Sequence, residues 1–417
     1  MSSPLAAVHR LLRGATCFVG CGLLLLVNVS HAGEAPLREQ AEQGRYLAIA
    51  GNCISCHTRP GGEPFAGGLP FETPLGVIYS SNITPDADTG IGSWSAADIQ
   101  SALKKGIGKE GKRLFPAFPY PSFAKITDAD AEAIAAYLKT LKAVKYEPPT
   151  NGWVFRMRWS MGPWNSMNFE VGTYAKDPKQ SDEWNRGAYL VQGLGHCSAC
   201  HSPRNWMMAE ESDHTLMGGS LQSEVLPGKS GRWSAPNLTS AKSGLVAWSV
   251  NDLAKYLQTG FSARAGSFGP MNEVIINSLS KLAKADVQAM AVYLKSLQAS
   301  ETPGVSLVPE QIRPGEATYK ARCEKCHGGS GRGGMFSAPP VAGSAIVQAE
   351  DPASLINVIL YGPQLHKDIA TGSWESMPAY RDVLSDGQIA SLSNYLRGSF
   401  GNRGSLVEEN AVTKLRQ

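Results

Sequence analysis

Three short stretches of the chain read Cys53-Ile-Ser-Cys56-His57, Cys197-Ser-Ala-Cys200-His201 and Cys323-Glu-Lys-Cys326-His327. Two thiols three positions apart lie on one side of a helical turn. There they can add to the two vinyl groups of one porphyrin, and the histidine that follows meets the iron from the same edge. Cys-x-x-Cys-His is accordingly the attachment sequence of c-type haem. A zinc site would need four ligands, usually from paired Cys-x-x-Cys units, and a dithiol redox site would not require the histidine. Three repeats in one chain favour three covalently bound haem c groups. The six cysteines then hold the porphyrins, and His57, His201 and His327 ligate the irons.

The remaining cysteines, Cys17 and Cys21, lie in a segment of another kind. Arg10 and Arg13 precede an apolar run from Ala15 to Val29, and Ser30-His31-Ala32 offers the small residues that a signal peptidase reads. Residues 1–32 are expected to be an export signal, because the run falls short of the about 20 apolar residues that a spanning helix needs. Cleavage would leave six cysteines, all used by haem and none for a disulfide. The expected location is the periplasm, with partners offering attachment to the outer face of the inner membrane. The formal charge of +3 over 417 residues excludes a strongly basic nucleic-acid binder. A hydrophobic share of 42% excludes disorder, and 44 glycines with 26 prolines point to a loop-rich globular protein.

Each iron needs a partner opposite its histidine, and a methionine thioether is the usual one in electron-transfer cytochromes. Met271 in Gly269-Pro270-Met271 and Met377 in Met377-Pro378 precede the closing helices of the second and third repeats, where a stiff ligand loop is expected. In the first repeat that register holds Phe118, within Pro116-Ala117-Phe118-Pro119-Tyr120, and no methionine lies between residues 33 and 151. The candidate there is Met161, folding back from the following connector. Met290 reads as a core residue and Met335 as a weaker competitor in the third repeat.

The elements that must position these residues recur with them. Gly44-Arg45-Tyr46-Leu47, Gly187-Ala188-Tyr189-Leu190 and Gly315–Tyr319 lead into the motifs; Asp130…Tyr137-Leu138, Asp286…Tyr293-Leu294 and Gln388…Tyr395-Leu396 close the repeats. The closing tyrosines are expected to pack helices and not to relay electrons. The first two repeats also share Gly67-Gly68 with Gly218-Gly219, Asn82-Ile83-Thr84 with Asn237-Leu238-Thr239, and Trp94-Ser95…Gly106 with Trp248-Ser249…Gly260. Serine followed three residues later by aspartate marks a helix start, and the glycine its stop. The asparagine triplets imitate glycosylation acceptors, but internal duplication accounts for their recurrence. The expected fold is all-α: three tandem small cytochrome c domains with long Gly/Pro-rich loops, at 33–145, 184–298 and 313–402. A connector at 146–183, a linker at 299–312 and a polar tail at 403–417 complete the chain.

The chain resembles the triheme cytochrome c subunits of periplasmic membrane-associated dehydrogenases. The likeness rests on Leu114–Tyr120, Met161–Asn165, Trp184–His201, Trp233–Thr239, Gly269-Pro270-Met271, Met377-Pro378 and Asn394-Tyr395-Leu396-Arg397, over about residues 38–402. It implies an electron-transfer subunit that takes electrons from a flavin, quinoprotein or molybdenum catalytic subunit and passes them to ubiquinone or another acceptor. It implies axial roles for Met271 and Met377. Many members carry methionine at the position of Phe118, so the resemblance assigns no first ligand. Peripheral membrane association fits the family, although residues 403–417 have few large apolar groups for an independent anchor. The chain shows no substrate chemistry of its own. The alternatives are a free periplasmic shuttle and a peroxidase-like reaction at a five-coordinate first haem.

Overall fold

The computed structural model describes residues 34–226, 228–301, 306–334, 337–363 and 374–416. The expected signal at 1–32 and the competitor Met335 fall outside them. Three helix crossings organise the chain. Helix α1 (Glu34–Ala50) leads into the first Cys-x-x-Cys-His turn; after two short strands, β1 (Pro70–Thr73) and β2 (Gly76–Tyr79), and helix α2 (Ala96–Lys105), helix α3 (Asp128–Thr140) returns across α1. Gly44 lies at this crossing, where an added Cβ would stand 1.8 Å from the Ala133 carbonyl oxygen. Helix α4 (Met161–Asn168) belongs to the connector. The second repeat crosses α5 (Asp182–Gln192) with α8 (Lys284–Ser296), and the corresponding distance, from Gly187 to the Ala289 oxygen, is 1.9 Å. Between them run strands β3 (Gly219–Leu226) and β4 (Lys229–Ala235) and helices α6 (Val250–Thr259) and α7 (Pro270–Asn277). In the third repeat, Gly315 precedes α9 (Glu316–Arg322), and an added Cβ there would stand 2.1 Å from the Ser391 oxygen of α11 (Asp386–Gly398). Tyr137, Tyr293 and Tyr395 press their Cβ atoms onto the same three glycines, which is the helix-packing role expected of them.

The local signals act as the spacing predicts. Ser95 accepts from the Asp98 amide in a capping box, Ser249 accepts from Asp252, and Gly106 and Gly260 stop α2 and α6 at φ 62° and 74°. Helix α10 (Ala353–Tyr361) ends at Gly362 with φ 73° and has no side-chain cap at its start.

One expectation is corrected, and two segments prove more structured than their composition suggests. The chain is mostly helical but not all-α, because β1–β2 and β3–β4 form two antiparallel hairpins. β1 and β2 have four residues each, and β3 and β4 carry four serines between them, so little apolar alternation betrays them. The connector has structure of its own: short turns at Trp153–Arg156 and Arg158–Ser160, followed by α4, bury Phe155, Met161 and Trp164 against Phe115 and Tyr120. The polar tail packs on the third repeat. Residues Glu409–Arg416 form α12, Val412 is fully buried in the third core, and Arg416 and Thr413 both reach Asp386 at the start of α11. Val412 and Leu415, with Ala411, pack on that core, a stripe too short to stand out among the charged residues around it.

The first two repeats share one core, whereas the third has its own. An approximate two-fold relation joins the first pair. Tyr46 of α1 donates to Asp286 of α8 at 2.7 Å and accepts from the Ala283 amide at 3.1 Å. Tyr189 of α5 donates to Asp130 of α3 and accepts from the Thr127 amide at 3.0 Å. Each phenol thus caps the closing helix of the other repeat, satisfying an amide at the helix start. Within its own repeat, Gln43 holds Asp130 and Arg186 holds Asp286. The third repeat attaches through β4 instead: Ser234 and Ser354 exchange hydrogen bonds, Asn357 donates to the Arg232 carbonyl, and Arg232 pairs with Asp351 at 2.7 Å.

Gly187→Ala is expected to cost at least about 3 kcal/mol, because the new methyl must displace backbone and not a flexible side chain; a thermal melt measures it. Burial opposes ionisation of Asp286, but hydrogen bonds from Arg186 and Tyr46 outweigh it and hold the carboxyl below its usual range. Its contribution is therefore complete above the unfolded value and lost as pH falls through the folded one. Acid titration followed by tryptophan fluorescence should loosen the shared core below about pH 4, and Asp286→Asn should remove that step.

Candidate haem-attachment sites

Each Cys-x-x-Cys-His forms about one helical turn directly after the leading helix. All six cysteines are free thiols. Burial pushes Cys53, Cys56 and Cys197 up to about 12 and Cys323 to about 11. They are neutral thiols, suited to adding across a vinyl group and unlike a thiolate cage. Among the described residues, His, Cys, Asp and Glu nowhere gather in threes as a zinc site would require.

The histidines are held alike. Nδ1 of His57 lies 2.7 Å from the Ser81 carbonyl, that of His201 2.7 Å from Pro236, and that of His327 2.9 Å from Pro339. Burial keeps all three rings below their usual pKa, against the opposing pull of those carbonyls. Neutral imidazole with Nδ1 as donor leaves the Nε2 lone pair free, the arrangement of a metal-ligating histidine with its orienting partner. A second bond repeats: the amides of Gly67, Gly218 and Gly333 donate to the carbonyls of His57, His201 and His327 at 2.7, 2.8 and 2.8 Å. All three glycines have positive φ. A Cβ on Gly67 would fall 2.5 Å from the Ser81 oxygen, and one on Gly333 2.8 Å from the Pro339 oxygen. The residues present therefore fit covalent haem.

The orienting carbonyls escape sequence reading because they follow their motifs at unequal distances. The available signal was the duplicated triplet. Asn82 follows Ser81 and Asn237 follows Pro236. Both asparagines are buried, accept from the amide two residues on, and donate to the segment after the closing helix, at Val144 and Tyr146 or at Ser300. The triplets anchor the strand whose carbonyl orients each histidine.

Met271 and Cys197 pack against the same core, and Met377 and Cys323 against the third core. Met271 sits in the first turn of α7 and not in a loop, behind Gly269 at φ 54° against the Trp233 ring. Met377 lies in a non-helical segment, as expected, and Met290 is core. The Leu114 amide bonds the Gly106 carbonyl at 2.8 Å, as the Ser267 amide bonds Gly260 at 2.7 Å. Counting on from Leu114 and Ser267 reaches Phe118 and Met271 together. Met161 is buried in the cluster of Phe115 and Tyr120, against which Phe118 also packs.

A leading and a closing helix crossed at glycine, a Cys-x-x-Cys-His turn and a carbonyl-held histidine define a cytochrome of the c type. Residues 41–142 match the cytochrome c family, and residues 310–396 match cytochrome C oxidase, cbb3-type, subunit III. The chain is 34% identical over 427 residues to the cytochrome c subunit of the quinone alcohol dehydrogenase of Gluconobacter oxydans, covering 98% of this chain and 89% of that one. It is 38% identical over 384 residues to the gluconate 2-dehydrogenase cytochrome c subunit of Pantoea cypripedii, covering 87% and 86%. It is 41% identical over 369 residues to a nicotinate dehydrogenase subunit of Pseudomonas putida, covering 86% of this chain but 30% of that protein. The chain belongs to the family of cytochrome c subunits of dehydrogenase complexes. It is an electron-transfer subunit, not a catalytic one.

Gly67→Ala should push the Ser81 carbonyl away from His57 and shift the reduction potential of the haem held there. Potentiometric titration should show the remaining haem signals unmoved.

Proposed function

We propose that the chain binds three haem c groups and carries electrons from a dehydrogenase catalytic subunit to ubiquinone or another respiratory acceptor. The carrying observation is the threefold recurrence of one arrangement: free thiol pair, Nδ1-held histidine and glycine-bonded histidine carbonyl. Haem supplies an iron that accepts and returns one electron; the chain keeps it in an apolar pocket that tunes its potential. His57, His201 and His327 would each hold an iron through Nε2; Met271 and Met377 would ligate the second and third irons, and Met161, beside Phe118, would ligate the first. The catalytic partner is of flavin, quinoprotein or molybdenum type, in keeping with relatives named for gluconate, alcohol and nicotinate dehydrogenases. Residues 1–32 direct export to the periplasm, where attached partners hold the subunit at the membrane.

Intact-mass measurement of the exported protein should give a chain starting after Ala32 with three haem adducts; one or two adducts would refute the count. Met161→Ala should convert one haem in three from low to high spin. A spectrum identical to wild type would remove Met161 from the ligand set.

A further inference from the structure

Every exposed tryptophan among the described residues lies in two short segments that pack together. Trp153 and Trp159 stand on the turns of the connector, 67% and 74% exposed. Trp206 stands on the loop after the second attachment turn, 90% exposed. Met167 and Met208 are exposed in the same two segments. Two bonds staple the segments: the Trp164 indole donates to the Met207 carbonyl at 2.9 Å, and the Asn205 carboxamide donates to that of Asn168 at 3.2 Å. The loop is built to hold its shape. The Asn205 side-chain oxygen accepts from the amides of Met207 and Ala209 at 2.9 and 3.1 Å, and Arg204 donates to the Met208 carbonyl at 3.1 Å. Met208 is held at φ 62°, a left-handed conformation that a residue with a side chain rarely adopts. That geometry turns Met207 and Ala209 into the cluster of Phe115 and Trp164 and leaves Trp206 and Met208 outside it. Apolar side chains held in water by a strained, hydrogen-bonded loop mark a docking face.

The composition of this face selects its partner. Residues 151–169 and 203–209 hold Arg156, Arg158 and Arg204, with no lysine and no carboxylate. Tryptophan, methionine and arginine are enriched where proteins meet, and lysine, glutamate and aspartate are depleted there. A lipid surface would draw lysine as readily as arginine. We infer that this face docks the dehydrogenase catalytic subunit, with Trp153, Trp159 and Trp206 as its anchors and the exposed Arg156 against a carboxylate rim on the partner. The inference rests on the chain being a subunit of a dehydrogenase complex, as its relatives are. A partner seated there stands beside the first two attachment sites. Arg204 donates to the Ala199 carbonyl of the second attachment turn at 2.6 Å, and Met161 is buried behind the connector turns with Phe115.

The full-length haem-loaded chain, tagged and purified from its own host, tests this. The wild type should bring down a dehydrogenase catalytic subunit, identified by mass and by its cofactor. If it brings down none, the partnership itself fails, and the docking face with it. Trp153→Ser/Trp159→Ser/Trp206→Ser should keep the wild-type haem content and melting temperature, because all three side chains are exposed. It should bind the isolated catalytic subunit at least about tenfold more weakly. Val246→Ser/Val383→Ser, which alters exposed apolar residues elsewhere, should bind as the wild type does. Arg156→Glu should weaken binding more at low salt than at high salt, and unchanged binding overturns the charge match. Wild-type affinity in the triple tryptophan variant, or an equal loss in the valine variant, overturns the inference. So does a triple variant that binds the catalytic subunit normally but no longer sediments with phosphatidylglycerol vesicles, which would make the face a lipid surface.

Discussion

A peptide carbonyl packed where a side chain should be is the constraint on which this protein rests. At Gly44, Gly187 and Gly315 the leading helix or turn comes so close to the closing helix that a methyl group would overlap the backbone of the other. The cost of glycine in a helix, about 1 kcal/mol against alanine, is accepted at Gly44 and at Gly187, inside α1 and α5. In return the helices meet at backbone distance, and the tyrosine on the closing helix locks over the gap. The first cysteine of the attachment turn follows the crossing glycine by 9, 10 and 8 residues in the three repeats, so its two cysteines and histidine start from a nearly fixed origin.

From that origin, orientation of the histidine is a matter of hydrogen bonds alone. The ring nitrogen finds a carbonyl, the histidine's own carbonyl finds a glycine amide, and the glycine's missing side chain lets the two strands approach. In the first two repeats a buried asparagine then ties the carbonyl strand to the chain beyond the closing helix. In the third repeat Asn402 takes the corresponding part, donating to Val341 near Pro339. Arg397 adds a clamp there: it is fully buried, bonds the Val347, Ala349 and Ser405 carbonyls, and burial lowers its pKa to about 10.

The chemistry was the most legible part of the sequence, because covalent attachment demands fixed residue types at fixed spacing. The crossings were nearly as plain, since glycine and tyrosine recur in register. Ser95, Asp98 and Gly106 show why helix ends were readable: a cap is a local event among neighbours. The hairpins were hidden because backbone pairing, not apolar alternation, holds β3 to β4. The carbonyl partners of the histidines were hidden because any residue can present a carbonyl. Asn82 and Asn237 were visible as a repeat but not as a device, since their partners lie some sixty residues away. Helix α12 was missed because only Ala411, Val412 and Leu415 meet the core, a pattern too short to stand out in a charged segment.

The exchanged tyrosines bear on how the subunit is assembled. Until Tyr189 is made and folded, the amide of Thr127 lacks the phenol that caps it, and the first closing helix is unfinished. The first closing helix therefore receives its last cap only from the second repeat. The third repeat, seated on a hairpin through serine and asparagine, is the part of the chain most open to exchange for a different module.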